Sequence, residues 1–176
     1  MTTSEKIRAR IQAAGASYFA NHNISEYIEP GELDSLTAEV ACEFEGVLRS
    51  LVIDTDQDHN TQDTANRVAK MFVQEIFSGR FLPAPKITSF PNMGYKNLYT
   101  TGPISIQSTC AHHFQNITGN CWVGIFPEKE VIGLSKFNRV VQWITRRPQI
   151  QEEMTVQIAE ELKKFAKTEH VAVIVK

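Results

Sequence analysis

Near Ile104 the apolar period of the chain changes from that of a helix to that of a strand, and this change limits the possible folds more than any other feature. Before it, apolar residues recur three and four apart. Ile7, Ile11, Ala14, Tyr18 and Phe19 lie along one predicted helical face that starts at Ser4 as its cap. Val40, Phe44, Val47, Leu48 and Leu51 do the same within 36–51, and 64–78 reads as a third helix closed by Gly79. Turn formers over 21–31 and a polar run over 54–63 separate these helices. Prolines at 83, 85 and 91 then impose an extended connection over 81–94. Beyond it, Ile104-Ser-Ile-Gln-Ser, Cys121-Trp-Val-Gly-Ile-Phe and Val171-Ala-Val-Ile-Val alternate as half-buried strands do. Helical patterns return over 135–146 and 151–167. Strand hairpins and helix pairs in separate runs define an α+β class with a mostly antiparallel sheet. The expected division is a helical extension over 1–60 and a mixed helix-and-strand domain over 61–176.

A formal net charge of −2 supplies no field for nucleic acid or an anionic membrane, so neither is an expected partner. Any anion site must come from a local cluster. No run approaches the roughly 20 apolar residues of a membrane span, and Met1-Thr-Thr-Ser-Glu lacks the basic and apolar regions of a secretory signal. Three cysteines, Cys42, Cys110 and Cys121, are too few for a disulfide framework and suit a reducing, cytoplasmic setting.

The densest chemistry lies in Ser108-Thr-Cys110-Ala-His112-His113-Phe. In an extended strand Cys110 and His113 would point to opposite faces, but they converge if the strand ends there and the chain turns. A thiolate and an imidazole suit Zn²⁺, and two or three protein ligands with an open position is the catalytic pattern. His112 would then be a general acid or base beside the metal. The competing reading is one buried cysteine beside two surface histidines. A second cluster, Gly133-Leu-Ser135-Lys136-Phe-Asn-Arg139, reads as a helix start capped by Ser135. Lys136 and Arg139 lie three apart on one face of it. It is either a phosphate-sized basic patch or a capped helix with solvated charges. Pro148 breaks the helical pattern, and Glu152 opens the next helix, as a plain N-terminal charge or as an acceptor for a guanine edge. The aspartate-rich run 54–63 reads as a solvated loop, since it lacks calcium-loop spacing.

With these residues in view, the sequence resembles the GTP cyclohydrolase I family from about Thr64 to Lys176. The resemblance is carried by Arg67-Val-Ala-Lys70-Met, Glu75-Ile-Phe-Ser-Gly79, the Cys110 segment, Val131-Ile-Gly-Leu-Ser-Lys136 and Arg146-Arg-Pro-Gln-Ile-Gln-Glu152. It implies hydrolysis of the GTP imidazole ring, with C8 leaving as formate and the remainder becoming 7,8-dihydroneopterin triphosphate. It implies zinc on Cys110 and His113, and His112 as proton donor to the purine. Ser135 would contact the ribose, and Lys136, Arg139, Arg67 and Lys70 the phosphates. Gln151 and Glu152 would contact the guanine, whose N1–H and 2-amino donors suit a carboxylate that adenine would not. The implied architecture is the tunnelling fold, with subunits joined through their sheets into five-membered rings, two rings forming a homodecamer, and sites between subunits.

Two departures accompany the resemblance. Ala111 stands where the family has glutamate. The family also continues past the last strand with a His-x-Cys segment and an arginine, which give the third zinc ligand, a second catalytic histidine and a phosphate contact. The chain is therefore expected to be part of a longer protein. Among the residues present, Cys121 shares the parity of buried Val123 and Ile125, and His170 is the better-placed substitute donor. A catalytically inactive ring-forming relative that binds GTP or a pterin is the alternative function. A nitrile reductase of the same fold would need a nucleophilic cysteine in place of the Cys-x-x-His pair.

Overall fold

Helix α1 (Thr3–Ala13) begins where Thr2 and Glu5 bond reciprocally: the Thr2 hydroxyl accepts the Glu5 amide, and Glu5 accepts the Thr2 amide. The cap is therefore Thr2, not Ser4, whose hydroxyl donates to Glu39 instead. The helix stops early because Gly15 turns at φ 65° and the Ala16 amide closes back onto the Ile11 carbonyl. Ile7 and Ile11 are buried, but Tyr18 and Phe19 fall beyond the helix and are exposed. These features belong to a computed structural model that describes Met1–Lys176.

Contacts divide the chain into two units, Met1–Pro83 and Ala84–Lys176. The boundary expected at 60 lies inside the first unit, because α3 (Thr64–Lys70) packs on α2 (Glu32–Ser50). Helix α3 does not end at 78 with Gly79 as its cap. It widens into a π-helical stretch, Met71–Ile76, and Phe77 N–H donates to the Phe72 carbonyl five residues back. Gly79 sits buried inside α4 (Ser78–Phe81). The Arg80 guanidinium donates to the carbonyls of Tyr18, Phe19, Ala20 and His22, which fastens the loop after α1. Asp54 and Asp58 accept amides of their own loop, as solvated turns do.

In the second unit, β1 (Ser89–Pro91) pairs antiparallel with β4 (Glu130–Ile132). A four-stranded sheet is formed by β2 (Tyr99–Cys110), β3 (Asn116–Ile125), β5 (Pro148–Gln149) and β6 (Val171–Val175), in the order β5-β2-β3-β6. Its pairs are antiparallel except β2 with β5. Helices α5 (Leu134–Thr145) and α6 (Gln151–Ala166) cover one face. Ile104, Ile106, Cys121, Val123 and Ile125 meet Phe137, Val140, Ile144, Met154, Ile158 and Leu162 there. Burial of each large apolar side chain contributes about 1.5–3 kcal/mol. The other face carries Trp122 and the exposed Ile174.

Strand β2 is irregular between Thr101 and Ile104, where Gly102 takes φ 150° over the indole of Trp122. A Cβ there would lie 2.5 Å from Trp122 Cδ1. Gly102→Ala should cost about 1–3 kcal/mol, from overpacking and left-handed strain together. Gly46, in α2 with nothing within 4 Å of its Cβ position, should gain about 0.5–1 kcal/mol on conversion to alanine. Urea unfolding of both variants measures this. Equal shifts would contradict the close approach at Gly102.

Candidate active site

Strand β2 ends at Cys110, and β3 begins at Asn116. Between them, Cys110 N–H donates to the Gln115 carbonyl at 2.8 Å, and Phe114 N–H donates to the Cys110 carbonyl at 2.9 Å. The second bond closes a single α-turn, which Phe114 leaves in the left-handed region at φ 54°. Residues three apart share a face of such a turn, so the backbone allows Cys110 and His113 to point the same way. The Cys110 thiol is half-buried, and both histidines are exposed. Cys110 Sγ lies 3.8 Å from His112 Nδ1, and the two imidazole centroids are 6.4 Å apart.

The turn is pinned from one side by β5. Thr109 pairs with Pro148, Cys110 with Gln149, and the Ala111 amide donates to the Gln149 carbonyl at 3.1 Å. Helix α6 starts two residues later, so Gln151 and Glu152 stand beside the Cys110 turn. Both are exposed, and Gln151 Nε2 donates to the Val175 carbonyl at 3.4 Å. The carboxylates of Glu152 and Glu153 complement the dipole at the helix start.

Ser135, Lys136 and Arg139 lie elsewhere. The cap of α5 is Gly133, which carries no capping side chain, and Ser135 is the second helical residue rather than the cap. Ser135 and Arg139 are exposed and Lys136 half-buried. At about 1.5 Å per residue, Ser135 and Thr145 are roughly 15 Å apart, so this patch and the Cys110 turn occupy opposite ends of α5. Arg67 and Lys70 belong to the first unit, on the exposed face of α3, and Arg67 Nε is 3.2 Å from Asp63.

The donor set of the turn, a thiolate source and two imidazoles, suits zinc chemically. No three His, Cys, Asp or Glu side chains converge on one point in this structure. Neither substitute donor joins the turn. Cys121 is fully buried on the helix-covered face, and burial pushes its thiol up to about 11. His170 precedes β6, whose Val171 pairs with Ile125. That is the far end of β3, roughly 30 Å from Asn116 at about 3.3 Å per residue. At the near end, Lys176 exchanges backbone bonds with Asn120.

Ser108, Arg147 and Gln149 are buried polar residues that the motif reading passed over. Parity held the signal, since Ser108 follows Ile104 and Ile106 on the inward face of β2.

Residues 40–176 match the family model for GTP cyclohydrolase I, so the similarity reaches back into α2, beyond the Thr64 expected from motifs. The GTP cyclohydrolase 1 of Actinobacillus pleuropneumoniae serotype 5b is 44% identical over 145 residues, covering 81% of this chain and 66% of that protein. Those of Haemophilus ducreyi and Flavobacterium johnsoniae are each 43% identical, over 145 and 136 residues, covering 66% and 60% of their lengths. The chain thus spans just under two thirds of the relatives it matches.

Alkylation at pH 8 should modify Cys42 and Cys110 in the folded protein and reach Cys121 only on unfolding. The folded chain holds the Cys121 proton to higher pH than the unfolded chain does. Its contribution to stability is therefore complete below pH 9 and lost as pH rises toward 11. Peptide mapping that finds Cys121 modified as fast as Cys42 would contradict this placement.

Proposed function

The chain belongs to the GTP cyclohydrolase I family, and we propose that it hydrolyses the imidazole ring of GTP, releasing formate and leaving 7,8-dihydroneopterin triphosphate. The observation that carries this reading is the parallel pairing of Thr109–Cys110 with Pro148–Gln149. It sets a Cys-x-x-His turn beside the helix start that bears Glu152, which supports metal binding and guanine recognition at one end of the fold.

Cys110 and His113 would hold the zinc, which when bound supplies Lewis acidity toward the purine and the attacking water. Glu152 accepts hydrogen bonds from guanine N1–H and the 2-amino group, with Gln151 beside it. Adenine, with an acceptor at N1, would leave the carboxylate unpaired. His112 holds the proton passed to the imidazole ring of the substrate as it opens. Lys136 and Arg139 bind the triphosphate and Ser135 the ribose.

The separation of the α5 start from the Cys110 turn supports a site completed by another copy of the chain. An assembly joined through sheet edges would cover Ile174 and the Trp122 face. We propose a homodecamer of two five-membered rings in the cytoplasm. Strand β6 runs toward the Cys110 turn, with Lys176 opposite Asn120.

Formate release from GTP by the intact protein tests the activity. His112→Ala should abolish release and leave GTP affinity within about two-fold, as for a proton-transfer residue outside the binding contacts. Unchanged turnover would sink that role, and GTP binding without any formate release by the wild type would favour the inactive relative. Arg139→Ala should raise the GTP dissociation constant about ten-fold or more and barely alter that of guanosine, since a charge-assisted bond contributes about 1.5–3 kcal/mol. Titration calorimetry with both ligands measures this. Equal losses would remove the triphosphate from α5.

A further inference from the structure

The two halves of the proposed site, the Cys110 turn and the start of α6, meet at one residue whose side chain has no surface and no assigned part. Gln149 is 1% exposed. Its Nε2 donates to the Ile144 carbonyl at 2.7 Å, near the end of α5, and to Ser108 Oγ at 3.3 Å, on β2 two residues before Cys110. Ser108 Oγ in turn donates to the Arg147 carbonyl at 3.2 Å. The Gln149 main chain pairs with Cys110 and accepts the Ala111 amide. One residue thus ties the last turn of α5, the end of β2, the first peptide of the Cys-x-x-His turn and the lead into Gln151 and Glu152.

The remaining atom of this amide decides what the tie is for. Gln149 Oε1 is buried without a hydrogen-bond partner. An unpaired buried acceptor opposes folding, and an apolar side chain of similar shape would fill the same space without it. If the seam only had to be filled, methionine would serve as well. What glutamine supplies and methionine lacks is direction: a donor bonded on both sides fixes β5 along β2 to within one hydrogen-bond geometry.

We infer that Gln149 is a positioning residue that sets the Cys110–His113 turn against the Gln151–Glu152 helix start, so that metal binding and guanine recognition depend on it jointly. The inference rests on the functional reading above, which assigns zinc to the turn and guanine to the helix start. Groups that orient ligands from behind commonly govern metal affinity by 10–100-fold.

The test uses the intact protein with three variants. Gln149→Met keeps the volume and removes the donor. Ser108→Ala removes two bonds of the same seam, the one from Gln149 and the one to the Arg147 carbonyl. Thr168→Val removes a buried hydroxyl that donates to the Phe126 carbonyl at the opposite end of the sheet. Zinc affinity is read by competition with a chromophoric chelator, guanosine affinity by calorimetry, and folding by circular dichroism and thermal unfolding.

Gln149→Met should fold and weaken both zinc and guanosine binding by about ten-fold each, with Ser108→Ala lowering both by roughly three-fold. Thr168→Val should shift the melting temperature at least as far and alter neither affinity. If Gln149→Met does not fold, the joint loss in Ser108→Ala alone decides the matter. Wild-type affinities in a folded Gln149→Met, or losses matched by Thr168→Val, overturn the inference and leave the functional reading standing. Wild-type protein that binds neither zinc nor guanosine overturns both.

Discussion

The candidate site depends on a short piece of parallel sheet, in which Pro148 and Gln149 lie beside Thr109 and Cys110. Two helices with a two-residue strand between them would ordinarily be joined by a loose loop. Here the loop is drawn into the sheet, and Pro148, which cannot donate a main-chain bond, occupies a strand at the sheet edge where that loss is tolerated. The pairing ends α5, starts α6 and closes the turn after β2, so three segments acquire one common frame. The apolar core beneath, from Ile106 to Ile144 and Ile158, makes that frame rigid.

Much of this was legible in the residues. The switch from helical to alternating period located the strands of the second unit but not its boundary, and the parity of Val123 and Ile125 placed Cys121 inside, where the fold buries it. The requirement that the strand stop at Cys110 followed from the opposed faces of an extended chain, and the α-turn through Phe114 meets it. Other features could not be read locally. Thr2 displaced Ser4 as a cap because the reciprocal bond with Glu5 outweighs a hydroxyl two residues later, which Glu39 captures. The π-helical stretch over Met71–Ile76 carries no composition signal, and without it Gly79 looks like a terminus. His170 seemed near the metal only because strand direction was unknown; the register of β6 on β3 sends it to the other end. The motifs nominated candidate residues, and register alone conveyed which of them meet.

Register also explains the distribution of charge. A chain with net charge −2 has no global attraction for a triphosphate, so its cations must be gathered locally. Lys136 and Arg139 are gathered at one end of α5, and Cys110 and Glu152 at the other. The length of the helix sets the distance between the end bearing Lys136 and Arg139 and the end beside the Cys110 turn. A second copy of the chain presenting its opposite end would bring the two kinds of group together. The apolar face around Trp122 and the strand edges are surfaces on which such copies could join. On the proposed reading, the assembly and the split site would both follow from the same sheet.

X-ray absorption at the zinc edge, recorded on the intact protein and on its Cys110→Ser and His113→Ala variants, tests the central claim most directly. The account predicts bound zinc in the wild type, with sulfur scattering at about 2.3 Å and imidazole nitrogen at about 2.0–2.1 Å. It predicts one sulfur fewer or no bound metal in Cys110→Ser, and a loss from the imidazole shell in His113→Ala. A wild-type spectrum that both variants reproduce would place the metal elsewhere and contradict the assignment of the turn.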